Sequence, residues 1–495
     1  MTIARARPAL PIADLAGAAR PAPANCRFGG GCGEPAPLPP EVQAKIANHP
    51  CYSEEAHHHF ARMHVAVAPA CNIQCHYCNR RYDCASESRP GVVSERLTPE
   101  QALRKVLAVA AEVPQLSVVG IAGPGDPLAN PGPTFETLEL VRRAAPDLRL
   151  CLSTNGLALP EHVERLAALG VDHVTVTVNM IDAEVGARIH PWVLWRGRKV
   201  RGEDGARLLS ERQLEGLAAL AGRGILCKVN SVLVPGVNGE HLVEVGRTVR
   251  RLGAFLHNVM PLLSAPEHGT HYGLTGQRGP TAAELEAVQR ACEGGARVMK
   301  HCRQCRADAV GLLGQDRHAE FALAALPAAP AADASAARAA HRGAVERARR
   351  GEAAARAEAL ARLAVAAPAR AARVAVASKG GGLVNQHFGH AREFLVYDVD
   401  RRGARLVGHR KVGQYCAGGD GDDAELEQVL AALSDCRAVL VAKVGRCPRE
   451  RLAGAGITPV VEHAFQPIEA ALLAWFGGLA ERERAVGGER ALGAP

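Results

Sequence analysis

The sequence predicts an α/β protein: a partial (β/α)6 barrel followed by a second, smaller α/β domain. Two observations carry this reading. Between residues 65 and about 265, six short apolar runs alternate with five helical patterns, and repeated strand–helix units imply a parallel sheet with right-handed crossovers. From Arg373 onward a second series of strand and helix patterns fills roughly a hundred residues, an ordinary domain size.

The barrel strands are predicted over Val65–Ala68, Ser117–Ala122, Leu148–Ser153, His173–Val178, Leu226–Val234 and Phe255–Leu262. The helices between them are predicted over Pro99–Val113, Thr134–Ala144, Pro160–Leu169, Glu211–Arg223 and Glu240–Leu252. Thr98-Pro99-Glu100-Gln101 is a helix start signal, with Thr98 as N-cap and Pro99 in the first helical position. In the second domain, strands are predicted over Val374–Ala377, Phe394–Asp398, Arg405–His409, Ala438–Ala442 and Pro459–Val461, and helices over Ala424–Leu433 and Ile468–Leu479. The resulting plan has five parts. Residues 1–40 form a leader rich in Pro, Gly and Ala and read as disordered. Residues 41–320 hold the barrel, 321–372 an Ala/Arg-rich linker, 373–482 the second domain and 483–495 a tail. In the linker, Glu346/Arg350, Glu352/Arg356 and Glu358/Arg362 are i,i+4 pairs in the favoured orientation. About 344–364 is therefore expected to be a solvated helix acting as a spacer.

Composition excludes several classes. A 47% hydrophobic content builds ordinary cores, and with aromatics at 4% these are Ala/Leu/Val-rich. No run of eighteen apolar residues occurs, so no membrane-spanning helix is expected. The apolar run Ala9–Ala18 contains Pro11 and Asp14, which argues against a signal peptide. Fifteen cysteines in a long, enzyme-like chain point to metal ligation in a reducing cytoplasm, not to a disulfide framework. Of the net charge of +8, residues 331–373 supply +5 through nine arginines against four acids. The basic balance belongs largely to that segment, so neither a nucleic acid nor a membrane is expected as a partner.

Cys71-Asn72-Ile73-Gln74-Cys75-His76-Tyr77-Cys78 places three cysteines at C-x3-C-x2-C directly after the first strand. Three thiolates on one short loop can hold three irons of a [4Fe–4S] cluster and leave the fourth open. The alternative is a zinc knuckle, which usually shows paired C-x2–4-C units and closed tetrahedral ligation. The motif, with Tyr77 before its third cysteine, resembles that of the radical S-adenosylmethionine (SAM) superfamily. The resemblance implies a SAM-binding [4Fe–4S] cluster in a partial (β/α)6 barrel. It further implies that the open iron chelates SAM and that one electron cleaves SAM to a 5′-deoxyadenosyl radical.

Active groups on parallel barrels gather at the C-terminal strand ends. The second strand ends in Gly123-Pro124-Gly125-Asp126-Pro127, where glycine lets the backbone approach a ligand. This resembles the superfamily's Gly-rich loop, which implies that the Gly123 and Gly125 backbone meets the amino group of SAM. The third strand ends in Cys151-Leu152-Ser153-Thr154-Asn155-Gly156, and period-two alternation puts Cys151, Ser153 and Asn155 on one face. Ser153 and Asn155, with Thr154 between them, are candidate SAM contacts. On the fourth strand Thr175, Thr177 and Asn179 face one way. Thr177 and Asn179 join the candidates, with packing among strand polar groups as the alternative. Lys228, Asn230 and Val232 alternate similarly on the fifth strand, with Cys227 on the opposite face as a core thiol.

Further cysteines imply further iron. Cys84 follows the triple, Cys51 precedes it in a histidine-dense segment, and Cys302-Arg303-Gln304-Cys305 comes after the last barrel strand. C-x2-C is a metal-pair spacing for which zinc is the alternative. Cys51, Cys84, Cys151, Cys302 and Cys305 with one histidine suffice for two more three-ligand clusters. Incomplete ligation suits clusters that are remodelled and released. Cys26 and Cys32 read as a mobile pair.

The runs His49-Pro50-Cys51, Ala68-Pro69-Ala70-Cys71-Asn72-Ile73-Gln74-Cys75, Glu87-Ser88-Arg89-Pro90-Gly91, Gly123-Pro124-Gly125-Asp126-Pro127 and Cys302-Arg303-Gln304-Cys305-Arg306-Ala307-Asp308 resemble the NifB family of nitrogenase cofactor biosynthesis proteins. The resemblance covers about 41–320 and continues into the second domain. It implies that two [4Fe–4S] substrate clusters are fused beside the SAM cluster around a carbide from a SAM methyl group. The product would be the iron–sulfur core precursor, NifB-co. It implies Cys84, Cys302 and Cys305 as ligands of the methyl-accepting cluster, and Cys51, Cys151 and His64 as ligands of the other. Glu87 would be an exchangeable ligand or proton acceptor. His49, His57 and His58 compete with His64 for its place.

Ser378-Lys379-Gly380-Gly381-Gly382-Leu383-Val384-Asn385-Gln386-His387-Phe388-Gly389-His390 resembles the NifX-type cofactor-carrier domain. This implies a ribonuclease H-like arrangement that binds iron–sulfur precursors, with His387, His390, Cys416 and Cys447 as candidate contacts. A docking module is the alternative for this domain. The implied partners are an iron–sulfur cluster donor, an electron donor such as ferredoxin, a cofactor carrier and the nitrogenase cofactor scaffold. Two competing readings of the whole chain are a radical SAM enzyme acting on an organic substrate and a non-catalytic iron–sulfur carrier.

Overall fold

The computed structural model describes residues 38–79, 92–294, 297–327, 331–366, 370–415 and 423–479. Cys26, Cys32, Cys84, Glu87 and Cys416 lie outside the described residues.

The first domain contains strands β1 (Ala61–His64), β2 (Ile73–Gln74), β3 (Leu116–Ile121), β4 (Arg149–Thr154), β5 (His173–Thr177), β6 (Trp192–Trp195), β7 (Arg198–Arg201), β8 (Leu226–Leu233), β9 (Leu256–Pro261) and β10 (Val310–Gly311). Seven of them form a curled half-barrel in the order β10-β1-β3-β4-β5-β8-β9. From β1 to β9 all neighbours run parallel. Five of the six parallel strands are those anticipated; β10 adds an antiparallel edge on β1. Parallel strands covered on both faces read as unbroken apolar runs, and β3 is buried at all six positions. Helices Pro99–Glu112, Pro131–Ala144, Val163–Ala168, Gly202–Gly222 and His241–Arg251 cover the outside. Thr98 and Gln101 cap the first of these reciprocally: Gln101 N–H donates to Thr98 Oγ1 at 3.3 Å and Thr98 N–H to Gln101 Oε1 at 2.9 Å.

The first strand is a correction. It spans Ala61–His64, four residues earlier than Val65–Ala68, so His64 ends it. The polar Arg62 and His64 lowered the apolar signal there, although Arg62 is only 2% exposed. Val65–Ala68 continues as buried, extended chain, with Val65 N–H donating to Gly120 O at 2.9 Å.

A three-stranded sheet, β2-β6-β7, was not anticipated. Its hairpin turns at Arg196-Gly197, both at positive φ, as a tight two-residue hairpin turn requires. The cluster-loop residues Ile73 and Gln74 pair with Val193 and Trp192 of β6. The hairpin thereby fixes the loop that carries the three cysteines.

The second domain holds a five-stranded mixed sheet. β11 (Ala372–Val376), β12 (Glu393–Asp400), β13 (Gly403–Lys411), β14 (Ala438–Leu440) and β15 (Thr458–Val460) stand in the order β13-β12-β11-β14-β15. The first three run antiparallel, and β14 and β15 run parallel to β11. This is the α/β arrangement anticipated, with one helix that the pattern missed, Arg446–Gly454.

The helix between the domains runs Ser335–Ala366, longer than expected at both ends. Over 344–364 it is largely exposed, as expected of a solvated helix, and it also acts as a strut. Arg338, 3% exposed, forms a bidentate pair with Asp147 of the barrel at 2.8 and 2.9 Å. Arg349 donates to Ala47 O at 2.7 Å, Arg356 meets Glu469 at 2.7 Å, and Leu363 joins the second domain's core. Arg356 thus turns to the second domain instead of Glu352, whereas Glu358–Arg362 closes at 3.0 Å as anticipated. Among the described residues, no helix is long and apolar enough to cross a membrane.

Candidate active site

Two groups of side chains gather at the C-terminal edge of the half-barrel. The first surrounds the loop 71–78. The β6 hairpin holds one side of the loop, where Leu194 N–H donates to Asn72 O at 2.6 Å. The Gly-rich loop after β3 holds the segment leading into it: Gly125 N–H donates to Ala68 O at 2.6 Å and Asp126 N–H to Ala70 O at 2.8 Å. The approach is so close that a Cβ on Gly125 would stand 2.0 Å from Ala70 O. Only glycine fits there.

Asp126, buried beneath this contact, had been given no role. Its carboxylate accepts from Leu128 N–H at 2.9 Å, Asn155 N–H at 2.5 Å and the Thr154 hydroxyl at 2.9 Å. Burial raises its pKa against these donors, which pull it down. Asp126 ties the loop after β3 to the end of β4.

Cys71, Cys75 and Cys78 open onto one cavity that Gly125, Ser153 and Asn155 also line. Tyr77 and Thr177 complete its predicted polar wall. Asn155 reaches the first thiol, 3.7 Å from Cys71 Sγ, and donates to Asn72 Oδ1 at 2.6 Å. Three other candidates act differently. Thr154 uses its hydroxyl on Asp126. Asn179 is buried, donating to the Tyr77 oxygen at 2.8 Å and accepting Val232 N–H at 2.8 Å. Gly123, at φ +153, packs toward Ala307. A donor set of three thiols on one loop, facing polar strand ends, fits a [4Fe–4S] cluster with one open iron and a SAM molecule beside it.

The second group surrounds Lys228 of β8, a buried ammonium only 7% exposed. Burial pulls its pKa down, but Cys51, Cys302, Cys151 and Cys305 outweigh this and hold it raised. Two of these thiols have their own donors: Arg62 to Cys305 Sγ at 2.9 Å and Asn258 to Cys302 Sγ at 3.2 Å. Burial pushes the Cys151 thiol up to about 12 and raises Cys51 as well. Unbound, Cys51 and Cys151 favour the protonated thiol; as thiolates they need cationic partners.

His64 belongs to this group through the sheet register. It pairs with Gly120, and Gly120 with Cys151, so the three stand side by side on neighbouring strands. A Cβ on Gly120 would sit 2.9 Å from the His64 ring and 3.7 Å from Cys151 Cβ. The glycine leaves the room between them. His64 Nδ1 lies 3.1 Å from Arg306 O. A carbonyl only accepts, so Nδ1 carries the proton and Nε2 presents its lone pair, the arrangement of a ligating histidine. Burial holds its pKa down to about 4. Of the rival histidines, His49 Nδ1 accepts Cys51 N–H at 3.2 Å, and the His57 and His58 rings lie 3.8 Å apart at a tilt of 39°. Among the described residues, no three His, Cys, Asp or Glu side chains close on a single ion.

Comparison with known proteins identifies the family. Residues 65–249 match the radical SAM superfamily, and residues 370–478 match the family described as dinitrogenase iron-molybdenum cofactor. The FeMo cofactor biosynthesis protein NifB of Herbaspirillum seropedicae is 58% identical over 91% of this chain and 86% of its own length. Those of Bradyrhizobium diazoefficiens and Rhodobacter capsulatus are 55% and 59% identical, over 92% and 89% of this chain and 90% and 97% of theirs. The chain belongs to the NifB family. The NifB matches span both domains and the strut between them, in agreement with the resemblance first carried by short motifs. Within this NifB-family barrel, sequence reasoning missed Asp126, Arg62 and Asn258. Asp126 had a local signal in its Gly-Pro-Gly-Asp-Pro run, whereas the partners of Arg62 and Asn258 lie 243 and 44 residues away.

Proposed function

We propose that this radical SAM enzyme takes two [4Fe–4S] clusters as substrates and joins them around a SAM-derived carbide, making the NifB-co core of the nitrogenase cofactor. The observation that supports this most is the ring of Cys51, Cys151, Cys302 and Cys305 about Lys228, in the barrel that also carries the three-cysteine loop. With His64 and with Cys84, which lies outside the described residues, the ring supplies three ligands to each of two clusters. A fully coordinated [4Fe–4S] cluster has four, so each substrate keeps a position open to exchange.

Cys71, Cys75 and Cys78 would hold the resident [4Fe–4S] cluster, which with SAM supplies a 5′-deoxyadenosyl radical when bound. Gly125, Ser153, Asn155, Thr177 and Tyr77 would orient SAM, with Gly123, Thr154 and Asn179 shaping the wall behind them. Cys302 and Cys305, with Cys84, would present the methyl-accepting substrate, their thiolates held by Asn258 and Arg62. Cys51, Cys151 and His64 Nε2 would present the other. Lys228 offsets the negative charge of both. Glu87 would exchange onto iron or accept a proton as the carbon loses hydrogen. The reading calls for an iron–sulfur cluster donor and an electron donor such as ferredoxin. A carrier and the cofactor scaffold would receive the product.

The test is turnover of reduced, cluster-loaded protein with SAM. The expected result is 5′-deoxyadenosine, with two [4Fe–4S] EPR signals replaced by that of a larger, releasable cluster. No 5′-deoxyadenosine overturns the enzyme reading. Clusters that all persist through turnover overturn fusion and favour an organic substrate.

A further inference from the structure

The β6–β7 hairpin is basic, exposed and seated on the cluster loop. Over 192–201 it carries Arg196, Arg198, Lys199 and Arg201 and no acid, a net charge of +4. All four cations are exposed. Arg207 and Arg212 in the helix that follows pair with Asp204 and Glu215, whereas the hairpin cations form no ion pair among the described residues. Two of them lie over tryptophan rings instead, Lys199 over Trp192 at 4.6 Å and Arg196 over Trp195 at 5.4 Å. Basic residues on a strand edge can simply block edge pairing. Two further observations point to a partner.

The first is apolar. Of the three large apolar side chains exposed among the described residues, Leu194 and Leu274 stand on the two elements that clasp the loop 71–78. Leu194 N–H donates to Asn72 O at 2.6 Å, and Tyr272 N–H, in the helix His271–Leu274, donates to His76 O at 3.0 Å. The clasps are joined where Tyr272 Oη donates to Arg188 O at 2.6 Å. The second is position. Cys71 and Cys75 line the SAM cavity, and they also pack against the small core of Ile73 and Val193 that Trp195 and Val200 of the hairpin cover. β6 pairs directly with the loop strand, one spacing of about 4.8 Å away. Electron tunnelling falls off exponentially with distance, so a carrier on the hairpin stands close to the thiols without entering the SAM cavity.

We propose that the β6–β7 hairpin and the helix His271–Leu274 form the docking face for a small acidic one-electron carrier protein. This rests on the function proposed above, whose SAM cleavage consumes an electron that the chain's own residues do not supply. Cations beside an apolar patch steer an acidic partner, and electron-transfer encounters need only small faces, under about 1,200 Å². The carrier is oxidised by one electron, and the cluster held by Cys71, Cys75 and Cys78 is reduced by one; no bond forms or breaks. A nucleic acid would also use cations and tryptophans, but it gains nothing from standing over a cysteine loop.

The experiment uses the full, cluster-loaded chain and an acidic [2Fe–2S] ferredoxin as the probe. Affinity is measured by calorimetry. 5′-Deoxyadenosine formation is measured with reduced ferredoxin freed of reductant and, separately, with dithionite. Raising salt from about 0.01 to about 0.15 M shortens the Debye length from about 30 to about 8 Å, so wild-type affinity should fall. Arg198→Glu with Lys199→Glu brings the hairpin to zero net charge. This variant should bind ferredoxin about tenfold more weakly at low salt, with a flatter salt dependence. Its ferredoxin-driven rate should fall in step, and its dithionite-driven rate should match the wild type. Leu274→Ser should weaken binding at both salt concentrations. Arg401→Glu with Arg402→Glu makes the same charge change at an exposed turn of the second domain and should leave affinity unchanged. Wild-type affinity in the hairpin variant or in Leu274→Ser overturns the proposal, as does an equal loss in the second-domain variant. A dithionite-driven rate that falls as far as the ferredoxin-driven one overturns it too. So does a single-stranded oligonucleotide that binds the wild type as tightly as ferredoxin and loses affinity in the hairpin variant. A wild-type protein that makes no 5′-deoxyadenosine with dithionite fails the functional reading instead. Affinity then judges the face alone: loss in the hairpin variant supports it, and equality overturns it.

Discussion

Gly125→Ala tests the joint between the two loops of the SAM site. The added Cβ would stand 2.0 Å from Ala70 O, 2.4 Å from Ala70 C and 2.9 Å from Ala68 O. All three are backbone atoms, so no side chain can swing aside. The loops must part by about 1 Å or more to reach ordinary contact. That breaks the hydrogen bonds from Gly125 N to Ala68 O and Asp126 N to Ala70 O. Two such bonds contribute about 1 kcal/mol each, and the displacement adds about 1–3 kcal/mol of strain. The expected local cost is therefore about 3–5 kcal/mol. The chemical cost is larger, because a displacement of ~1 Å in a positioned site lowers rate about a hundredfold. Thermal unfolding and 5′-deoxyadenosine formation report the two effects. Iron bound at the Lys228 ring should stay as in the wild type, since that ring does not touch this joint. Gly132→Ala is the control: nothing lies within 4 Å of its Cβ, and alanine in a helix stabilises by about 0.5–1 kcal/mol. A Gly125→Ala protein with wild-type melting and turnover would refute the geometry.

Three further outcomes follow. Lys228→Met removes the cation that the four ring thiols share. Iron retained at that ring should fall about tenfold, the weight of one charge-assisted contact, while iron on the three-cysteine loop stays; metal analysis with EPR before SAM addition checks this. Arg338→Ala leaves Asp147 with only Arg342, at 3.3 Å. Loss of the bidentate pair should cost about 2 kcal/mol, read as a lower urea midpoint and faster proteolysis of the strut. His257 is fully buried, with Nε2 2.9 Å from Ser231 Oγ and Nδ1 unpartnered. Burial holds its pKa down to about 4. Between pH ~6.5 and ~4 the unfolded chain then binds a proton that the fold refuses, so stability falls as pH drops through that window. Metal-free protein should lose about 2 kcal/mol more between pH 7 and 5 than His257→Gln does; equal urea-midpoint shifts would exclude the assignment.

What was legible in the sequence, and what was not, divides by the range of the forces involved. Five of the six parallel strands were visible because burial on both faces forces apolar runs such as Leu116–Ile121. The cluster loop was visible because its three thiols sit within eight residues. The β6–β7 hairpin carried a usable sign, Arg196-Gly197 between Trp195 and Arg198. It was passed over because its partner, Ile73–Gln74, lay inside what read as a loop. The arginine-rich segment misled for a related reason. The spacing of Glu352 and Arg356 describes an isolated helix, whereas Glu469 competes for Arg356 only once the second domain is in place.

The histidine choice shows the limit most sharply. Residues 57, 58, 59 and 64 are chemically alike in the sequence. They are separated by register alone: one pairing sets His64 beside Gly120, and the next sets Gly120 beside Cys151. A one-residue slip would turn His64 to the other face of the sheet. Gly120→Val is therefore a sharper probe than replacing the histidine. It leaves every ligand in place and fills the gap at 2.9 Å from the His64 ring. If His64 and Cys151 hold one substrate cluster between them, this variant should lose that cluster's nitrogen coupling and retain iron on the three-cysteine loop. Unchanged coupling would mean that a different nitrogen binds the iron.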